Sequence, residues 1–423
     1  MKIAIFGTTL HAGVMAALLA ERGNEVLWCT DHDFTGHEEQ LVCQTYQEQD
    51  VNRLLLKQRQ VGFLKDCSFS SIPLDIEAYL FCFSPTELEK GLEVTQRLNA
   101  RPIIHPRLMV NGSTFGLHGT EKLKQNLPKD HWVYFPDMIQ EGNAINSVLS
   151  VKHVIVGVES DYSKTIMHEM LRPFFRFNHQ YLFMPILDAE FTKLSISGML
   201  ATRISYMNDL AMVAEKLGID IANVKEGMGA DTRIGSAYLS AGVGFGGENF
   251  SHDILTLSNV VSGSGARSRL LEQVWEINEQ QKEVLFRKLW NYYHCDLKGK
   301  VITIWGAAFK ENTSNIHNSP IHSMLLALWA QGATVKLHDP QALEVIQSLY
   351  GKRDDLILCE DQYEAARGAH ALCVLTVWKQ YLSLNYKKLQ QLMAHPFILD
   401  GRNVYDPIYT KQQGFAYEGI GRL

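Results

Sequence analysis

The chain has 423 residues, of which 46% are apolar and 20% are charged, and its formal net charge is −6. This length predicts two or three domains, and the composition is that of a globular protein with an ample core. The mild negative charge argues against nucleic acids and anionic membranes as partners.

The N-terminal residues predict a βαβ unit. Lys2–Phe6 reads as an apolar strand, Gly7 begins a turn, a helix follows from about Ala12 to Arg22, and Glu25–Cys29 is a second strand. The first apolar run is too short for a signal peptide, and no window approaches the roughly 18–20 apolar residues that span a bilayer. We therefore expect a cytoplasmic protein without membrane insertion.

The glycine turn after the first strand resembles a dinucleotide-binding turn only in part. Such a turn needs glycine where the chain bends and where the backbone approaches the pyrophosphate. Gly7 and Ala12 fit, whereas Thr9 places a β-branched side chain at the second position. The acidic residue that would bind the ribose is replaced by Thr30, with Asp31 one position later. These residues alone do not distinguish a doubly wound sheet that binds a dinucleotide from one that does not.

Helical periodicity replaces this pattern in the middle of the chain. One long helix is predicted from about 189 to 217 and a second helical stretch from about 268 to 293. The βαβ pattern then returns, with strands at 301–305 and 334–338, a Gly-Ala-Ala turn at 306–308, a helix from about 320 to 331 and further strands at 371–374 and 397–399.

These elements predict an α/β fold with two Rossmann-like, doubly wound parallel-sheet domains joined by a long central helical region. We place the N-terminal dinucleotide-binding-type domain at 1–187, the central helical domain at 188–298 and the C-terminal nucleotide-sugar-binding domain at 299–423. Long central helices between two sheets are typical of a dimer interface. The seven cysteines contain no CxxC pair, which indicates reduced thiols rather than a disulfide framework.

The most specific stretch is residues 231–253, which read DTRIGSAYLSAGVGFGGENFSHD. Its glycine loop (Gly242–Gly247), with Arg233 upstream, suits a backbone laid against a sugar or a phosphate, although a purely structural loop is the alternative. The stretch resembles the segment of the UDP-glucose and GDP-mannose dehydrogenases in which GxGFGG precedes serine, cysteine, phenylalanine, proline, lysine and aspartate.

Three further segments resemble that family in order and spacing: residues 189–208, 306–320 and 399–403, the last reading LDGRN. The resemblance spans essentially the whole chain and is closest to the UDP-glucose 6-dehydrogenases. It implies oxidation of a sugar C6 alcohol to a carboxylate with two NAD+, through a cysteine-bound thiohemiacetal and a thioester. Thiolate suits this step because it adds readily to an aldehyde.

Transferred position by position, the catalytic cysteine falls on Asn249, and a carboxamide has no nucleophilic state that could replace the thiolate. Other family residues are also replaced: an asparagine by Ser197, a glutamate by Asp137, an arginine by His317 and a lysine by His252. Most of these departures lie on the cofactor side and at the nucleophile.

The resemblance implies three groups of site residues. Three of these residues also have an ordinary structural explanation: Lys193 could be a solvated lysine, Arg402 a surface charge and Asp253 a helix cap. We assign no metal ligands. The positions of the catalytic group are Lys193, Asp253, Asp137 and Asn249; those of the cofactor group are Gly7, Thr9, Ala12, Thr30, Asp31, Ser84, Pro85, Thr114, Glu141 and His317; those of the substrate group are Ser197, Arg233, Tyr238, Gly244, Phe245, Gly246, Phe309, Lys310 and Arg402.

The sequence therefore favours a homodimer that binds a nucleotide sugar, UDP-linked rather than GDP-linked, but cannot form the uronic acid by the cysteine route. NAD is implied as cofactor by the resemblance, although Thr9 and Thr30 disfavour its binding. One alternative is an active NAD-dependent dehydrogenase that oxidises the C6 alcohol without a thioester. The other is a structural partner of an active relative.

Overall fold

The computed structural model describes residues 1–30, 47–175, 180–266 and 269–422. It separates into two compact units, Met1–Ile196 and Ser197–Leu423. Each unit contains one sheet, and the predicted α/β class with two Rossmann-like sheets is confirmed. The division into three domains stays a prediction.

The first unit contains an eight-stranded sheet with the order β3-β2-β1-β4-β5-β6-β7-β8. Its neighbouring strands are parallel except for β6 and β7, which pair antiparallel. The strands are β1 (Lys2–Phe6), β2 (Glu25–Cys29), β3 (Leu64–Cys67), β4 (Ala78–Phe81), β5 (Leu108–Asn111), β6 (His131–Tyr134), β7 (His153–Val158) and β8 (Gln180–Met184).

The strands β1 and β4–β6 are almost wholly buried, because apolar side chains leave both faces of the sheet and helices cover them. Phe6, Phe81 and Trp132 are among the largest fully buried side chains. The Phe81 ring of β4 packs at a tilt against Phe6 of β1 and stacks on Trp132 of β6. The helices are α1 (Leu10–Glu21), α2 (Gln49–Gln60), α3 (Leu88–Asn99), α4 (Gly119–Lys124), α5 (Ala144–Leu149), α6 (Asp161–Leu171) and the start of α7 (Ile186–Leu217).

The second unit contains a fully parallel six-stranded sheet with the order β11-β10-β9-β12-β13-β14. The strands are β9 (Val301–Trp305), β10 (Thr334–His338), β11 (Leu356–Leu358), β12 (Ala371–Val374), β13 (Phe397–Asp400) and β14 (Ala416–Glu418). Besides the end of α7, the helices are α8 (Ile221–Ala230), α9 (Glu248–Gly263), α10 (Leu270–Gln281), α11 (Val284–Tyr292), α12 (Pro320–Ala330), α13 (Leu343–Tyr350), α14 (Gln362–Ala366), α15 (Tyr386–Leu392) and α16 (Pro407–Gln412).

The stretch predicted as helical from about 268 to 293 contains two helices, α10 and α11, with Lys282 and Glu283 between them. The Lys282 side chain is almost completely buried at this junction and bonds to Asn318 of another segment. The start proposed at Ser268 lies outside the described residues. No helix in the described part of the chain is both long and apolar enough to cross a membrane.

Candidate functional site

The glycine loop of the second unit is fixed by amide side chains from two helices. Asn208 on α7 accepts a hydrogen bond from Gly242 N–H at 2.8 Å, and Gln281 donates to the Gly242 carbonyl at 2.8 Å. Asn278 accepts from Phe245 N–H at 2.7 Å and donates to its carbonyl at 3.1 Å. The sequence did not single out these three side chains as site residues, although Asn208 ends the segment 189–208 that resembles the family.

The glycines of this loop are required by packing. Gly244 has φ +85°, and a Cβ there would lie 2.9 Å from Asn278 Oδ1. A Cβ on Gly246 would lie 2.7 Å from the Asn318 carbonyl oxygen, and one on Gly247 would lie 3.0 Å from the Phe309 ring. Close packing is therefore a sufficient structural reason for these glycines, as the alternative of a purely structural loop predicted.

Arg402 follows β13 and binds three carbonyl oxygens. Its Nε donates to Leu375 O at 2.6 Å, and its two terminal nitrogens donate to Gly244 O at 3.2 Å and Phe309 O at 3.3 Å. The side chain is partly buried, and no carboxylate of the described residues forms an ion pair with it. Burial lowers the pKa of its guanidinium to about 10, so the group is still charged at neutral pH. It is not a surface charge.

Arg402 therefore joins its own segment after β13 to three others: the glycine loop, the turn at Phe309 and the residues after β12. The Phe309 ring lies against Gly247 and its Cβ against Gly246, and Lys310 Nζ lies 5.6 Å from the centre of that ring. A guanidinium has five N–H donors, of which three are used, so two are left for a ligand. An anionic oxygen is the partner that such a group prefers.

Helix α9 begins directly after the glycine loop, with Gly247 as N-cap at φ +93°. Asn249 is exposed in its first turn. Asp253 lies one turn further along, is completely buried and accepts a hydrogen bond from Ser197 Oγ at 2.7 Å. The alternative that Asp253 caps a following helix was wrong, because it lies inside α9. Burial lowers the pKa of the neighbouring His252, so its imidazole is neutral at pH 7.

We call Arg402, Phe309, Lys310 and the glycine loop the Arg402 cluster. The side chains of three other predicted residues of this unit form no hydrogen bond with Arg402 or the glycine loop within the described residues. Arg233 is exposed and forms a bidentate pair with Asp231, with N–O distances of 3.0 and 2.7 Å. Tyr238 is 41% exposed and has φ +59°. The His317 side chain is exposed, and only its carbonyl reaches the glycine loop, accepting from Gly247 N–H at 2.8 Å.

The turn of the first unit combines a tight glycine with a threonine cap. Gly7 has φ +104°, and a side chain there would collide with the carbonyl oxygen of Cys82. Thr9 is the N-cap of α1: its hydroxyl donates to Cys82 O at 2.8 Å and accepts from Ala12 N–H at 3.2 Å. Ala12 is completely buried. The threonine thus uses a helix N–H that a phosphate oxygen would otherwise take.

The other predicted residues of the first unit are distributed along the sheet and its loops. Thr30 is buried at the end of β2 and Thr114 is buried after β5, whereas Asp31 lies outside the described residues. Asp137 accepts from Ile139 N–H at 2.9 Å. Four more are intermediate in exposure: Ser84, Pro85, Glu141 and Lys193.

The described turn does not fit a dinucleotide as an all-glycine turn does. Gly7 allows close approach of the backbone, but the Thr9 side chain stands at the second glycine position and holds one of the helix donors. Thr30 offers a neutral hydroxyl where a carboxylate would bind the ribose.

Comparison with known proteins gives two family matches. Residues 187–280 match the central domain of the UDP-glucose/GDP-mannose dehydrogenase family, and residues 303–407 match its UDP binding domain. The first range contains the glycine loop and α9, and the second contains Phe309, Lys310 and Arg402. The residues of the glycine loop and of the turn at Phe309 that Arg402 connects were predicted from the resemblance. They all lie within the matched ranges.

Individual relatives agree with this. The chain is 30% identical over 439 residues to UDP-glucose 6-dehydrogenase TuaD of Bacillus subtilis, a match that covers 100% of this chain and 93% of that protein. It is 34% identical over 290 residues to UDP-glucose 6-dehydrogenase of Pseudomonas aeruginosa, where the match covers 68% of this chain and 64% of that protein, just under two thirds of its length. In structure, a UDP-glucose dehydrogenase from Pyrobaculum islandicum has a TM-score of 0.87 at 22% identity and covers 100% of this chain and 98% of that one, which shows the fold.

Proposed function

This chain belongs to the UDP-glucose/GDP-mannose dehydrogenase family, and we propose that it binds a nucleotide sugar, of the UDP-hexose class, without completing the cysteine-dependent oxidation to the uronic acid. The Arg402 cluster carries the proposal. It combines a charged guanidinium, whose side-chain hydrogen bonds go to carbonyl oxygens, with the aromatic ring of Phe309 and the ammonium group of Lys310. A diphosphate supplies anionic oxygens for the guanidinium of Arg402.

Asn249 supports the second half of the proposal. A cysteine in the first turn of α9 would have its thiolate stabilised by the helix N-terminus, which is a favourable place for a nucleophile. The carboxamide of Asn249 occupies that place and forms no thiohemiacetal. The retained nucleotide side and the replaced nucleophile together favour binding without uronate formation, for sensing the sugar nucleotide or for regulating a relative.

Thermal melting with UDP, GDP or NAD+ added singly tests the binding proposal. A ligand at 100 times its Kd stabilises the folded state by about 2.7 kcal/mol, which appears as a clear rise in Tm. We expect a rise with UDP, a smaller one with GDP and none with NAD+.

Arg402→Lys should weaken UDP binding about tenfold, because lysine keeps the charge but loses the planar fork. Arg353→Lys, an exposed arginine paired with Asp355 in the same unit, is the matched control.

The other outcomes lead to the two alternatives. A rise with NAD+, followed by NADH formation when a UDP-hexose is added, would identify an active dehydrogenase. Retention of Lys193 and of the buried Asp253, which accepts a hydrogen bond from Ser197, favours this second candidate. If no nucleotide raises the Tm, the remaining hypothesis is that the chain is a structural partner of an active relative. Asn249→Cys adds a further distinction: a gain of uronate formation would mean that the rest of the site works, and no gain would mean that the cofactor side is also deficient.

Exposed apolar side chains on α7 support the homodimer that the long central helices led us to expect. Met199, Tyr206, Val213 and Leu217 are 63%, 50%, 44% and 66% exposed, and their spacing of seven, seven and four residues places them on one helix face. Sedimentation of the wild-type chain against Tyr206→Glu would test this face, because a charge at its centre should favour the monomer. The cytoplasmic location stays a prediction.

A further inference from the structure

Two cysteines lie side by side at the ends of neighbouring strands in the first unit. Cys29 is the last residue of β2 and Cys67 the last residue of β3, and the parallel register pairs them directly. Their side chains therefore leave the sheet on the same face. Their sulfur atoms are 2.7 Å apart, closer than two thiols approach without a hydrogen bond or a covalent bond.

The backbone geometry permits a covalent link. Neighbouring strands are about 4.8 Å apart, and disulfides join Cα atoms that are about 4.4–6.8 Å apart. The two thiols differ in access: Cys67 is half-buried, whereas Cys29 is buried. An incoming reagent therefore meets Cys67 first, and Cys29 is in place to react second.

The other described cysteines lack this combination. Burial raises the pKa of Cys82 and Cys373 far above the normal range, so they stay protonated. Burial also raises the pKa of Cys359. Cys295 is exposed. Among the described cysteines, Cys29 and Cys67 are the one hydrogen-bonded thiol pair.

We propose that Cys29 and Cys67 form a dithiol that a small-molecule disulfide of the glutathione class oxidises reversibly to an intramolecular disulfide. The Cys67 thiolate attacks one sulfur of the small disulfide, whose S–S bond breaks, and the first small thiol leaves with the proton that Cys67 lost. Cys29 then gives up its proton and attacks the Cys67 sulfur. The Cys29–Cys67 bond forms as the second small thiol departs, so that two protein thiols are oxidised and one disulfide is reduced to two thiols.

The position of the pair gives this modification a consequence. In doubly wound sheets, ligands bind outside the carboxyl ends of the strands, and both cysteines end their strands at that edge. The disulfide would cross-link β2 to β3 immediately before Thr30. The linkage spans 38 positions of sequence, so it also restricts the unfolded chain and should raise the Tm by several degrees.

Thiol mapping of the full-length protein tests the proposal. The reduced chain is incubated with oxidised glutathione, alkylated and digested for mass spectrometry. We expect the loss of two alkylated cysteines per chain, a peptide cross-linked through Cys29 and Cys67, and complete reversal by dithiothreitol. Full alkylation of both residues, or glutathione retained on Cys67 without a cross-link, would overturn the proposal.

Single serine variants separate the two roles. Cys29→Ser should leave a stable glutathione adduct on Cys67, because the resolving thiol is missing. Cys67→Ser should leave Cys29 unmodified, because that thiol is buried. The matched control is Cys295→Ser, which removes the exposed cysteine and should still form the cross-link. If a serine variant does not fold, the mapping of the wild-type chain decides by itself, and an adduct on Cys29 with Cys67 unmodified would contradict the proposed order.

Discussion

The two glycine turns of the molecule share a topology and differ in what occupies them. In the first unit, Gly7 follows β1 and α1 begins at Leu10, so the helix N-terminus lies at the turn. In the second unit, Gly306 follows β9, but α12 begins only at Pro320. Both glycines have positive φ, +104° and +96°, and both pack against the end of a neighbouring strand.

The second turn is closed by its own chain. Asp339, directly after β10, accepts hydrogen bonds from Ala307 and Ala308 N–H at 2.7 and 3.1 Å and from Trp378 Nε1 at 3.1 Å. Its other oxygen accepts from Gln341 and Ala342 N–H. A protein carboxylate thus takes the backbone donors that an anion takes in a dinucleotide site. The two units share the strand–turn–strand framework, and this framework therefore does not determine which ligand a turn binds.

The largest effect is expected from Asp339→Ala, which breaks the internal closure. Five N–H groups lose their acceptor in a buried place, so the second unit should lose about 3–5 kcal/mol of stability. Urea unfolding measures the loss, with the exposed Asp354→Ala as a control that should change stability by less than about 0.5 kcal/mol. A loss in Asp339→Ala no larger than in the control would refute the structural role of the carboxylate.

Gly7→Ala tests what the two turns have in common. A methyl group at Gly7 would collide with the Cys82 carbonyl, and one at Gly306 would collide with Thr376, so each variant should lose about 2–4 kcal/mol. Gly23 has φ +86° but no atom within 4 Å of its added Cβ, so Gly23→Ala reports the backbone cost alone, about 1 kcal/mol. Equal losses at Gly7 and Gly23 would show that close packing of the turn is unimportant.

Much of the fold could be predicted from these turns, because short apolar strands followed by glycine leave few other structures. The strands at 2–6, 25–29, 301–305, 334–338 and 371–374 are confirmed to the residue. The break between α10 and α11 could not be predicted, because neither Lys282 nor Glu283 is a helix-breaking residue such as glycine or proline. Periodicity reports which face of a helix is buried, not what a side chain reaches.

The candidate site was predictable where residues form a contiguous motif and not where they support one. The glycine loop, Phe309 and Arg402 were found from their segments, and the structure joins them through hydrogen bonds of Arg402. Asn208 and Asn278 were missed, although they hold the loop, since an amide on a helix resembles any surface residue in sequence. The catalytic roles assigned by resemblance stay predictions.

Thr9→Gly would make the first turn accessible to a phosphate, whereas the second turn stays occupied by Asp339. The variant removes the β-branched side chain and frees Ala12 N–H for a phosphate oxygen, so NAD+ affinity should rise about tenfold, equivalent to about 1.4 kcal/mol. The change of cap itself costs only a few tenths of a kcal/mol. Thr9→Ser keeps the capping oxygen and is the control. An equal gain in both variants, measured by calorimetry, would assign the obstacle to the methyl group rather than to the occupied donor.

The smallest effect concerns His322, which ties α12 to the segment after the second turn. Its Nε2 lies 2.7 Å from Ile316 O and its Nδ1 2.6 Å from Tyr350 Oη, a pairing that suits the neutral ring. Burial, with the positive charge of Lys282 adding to it, lowers the pKa of His322 below its unfolded value of 6.5. The folded state therefore binds fewer protons than the unfolded state, and stability falls as pH drops below about 6.5 towards the folded pKa.

One proton limits that slope to about 1.4 kcal/mol per pH unit. Urea unfolding between about pH 7.5 and pH 5.5 should show a shallower loss in His322→Gln than in the wild type, since the variant has no proton to gain. His294 is exposed in the same unit, so His294→Gln should keep the wild-type slope. If both variants retain that slope, the acid sensitivity of the second unit lies in other buried histidines, such as His338, whose pKa is also lowered by burial.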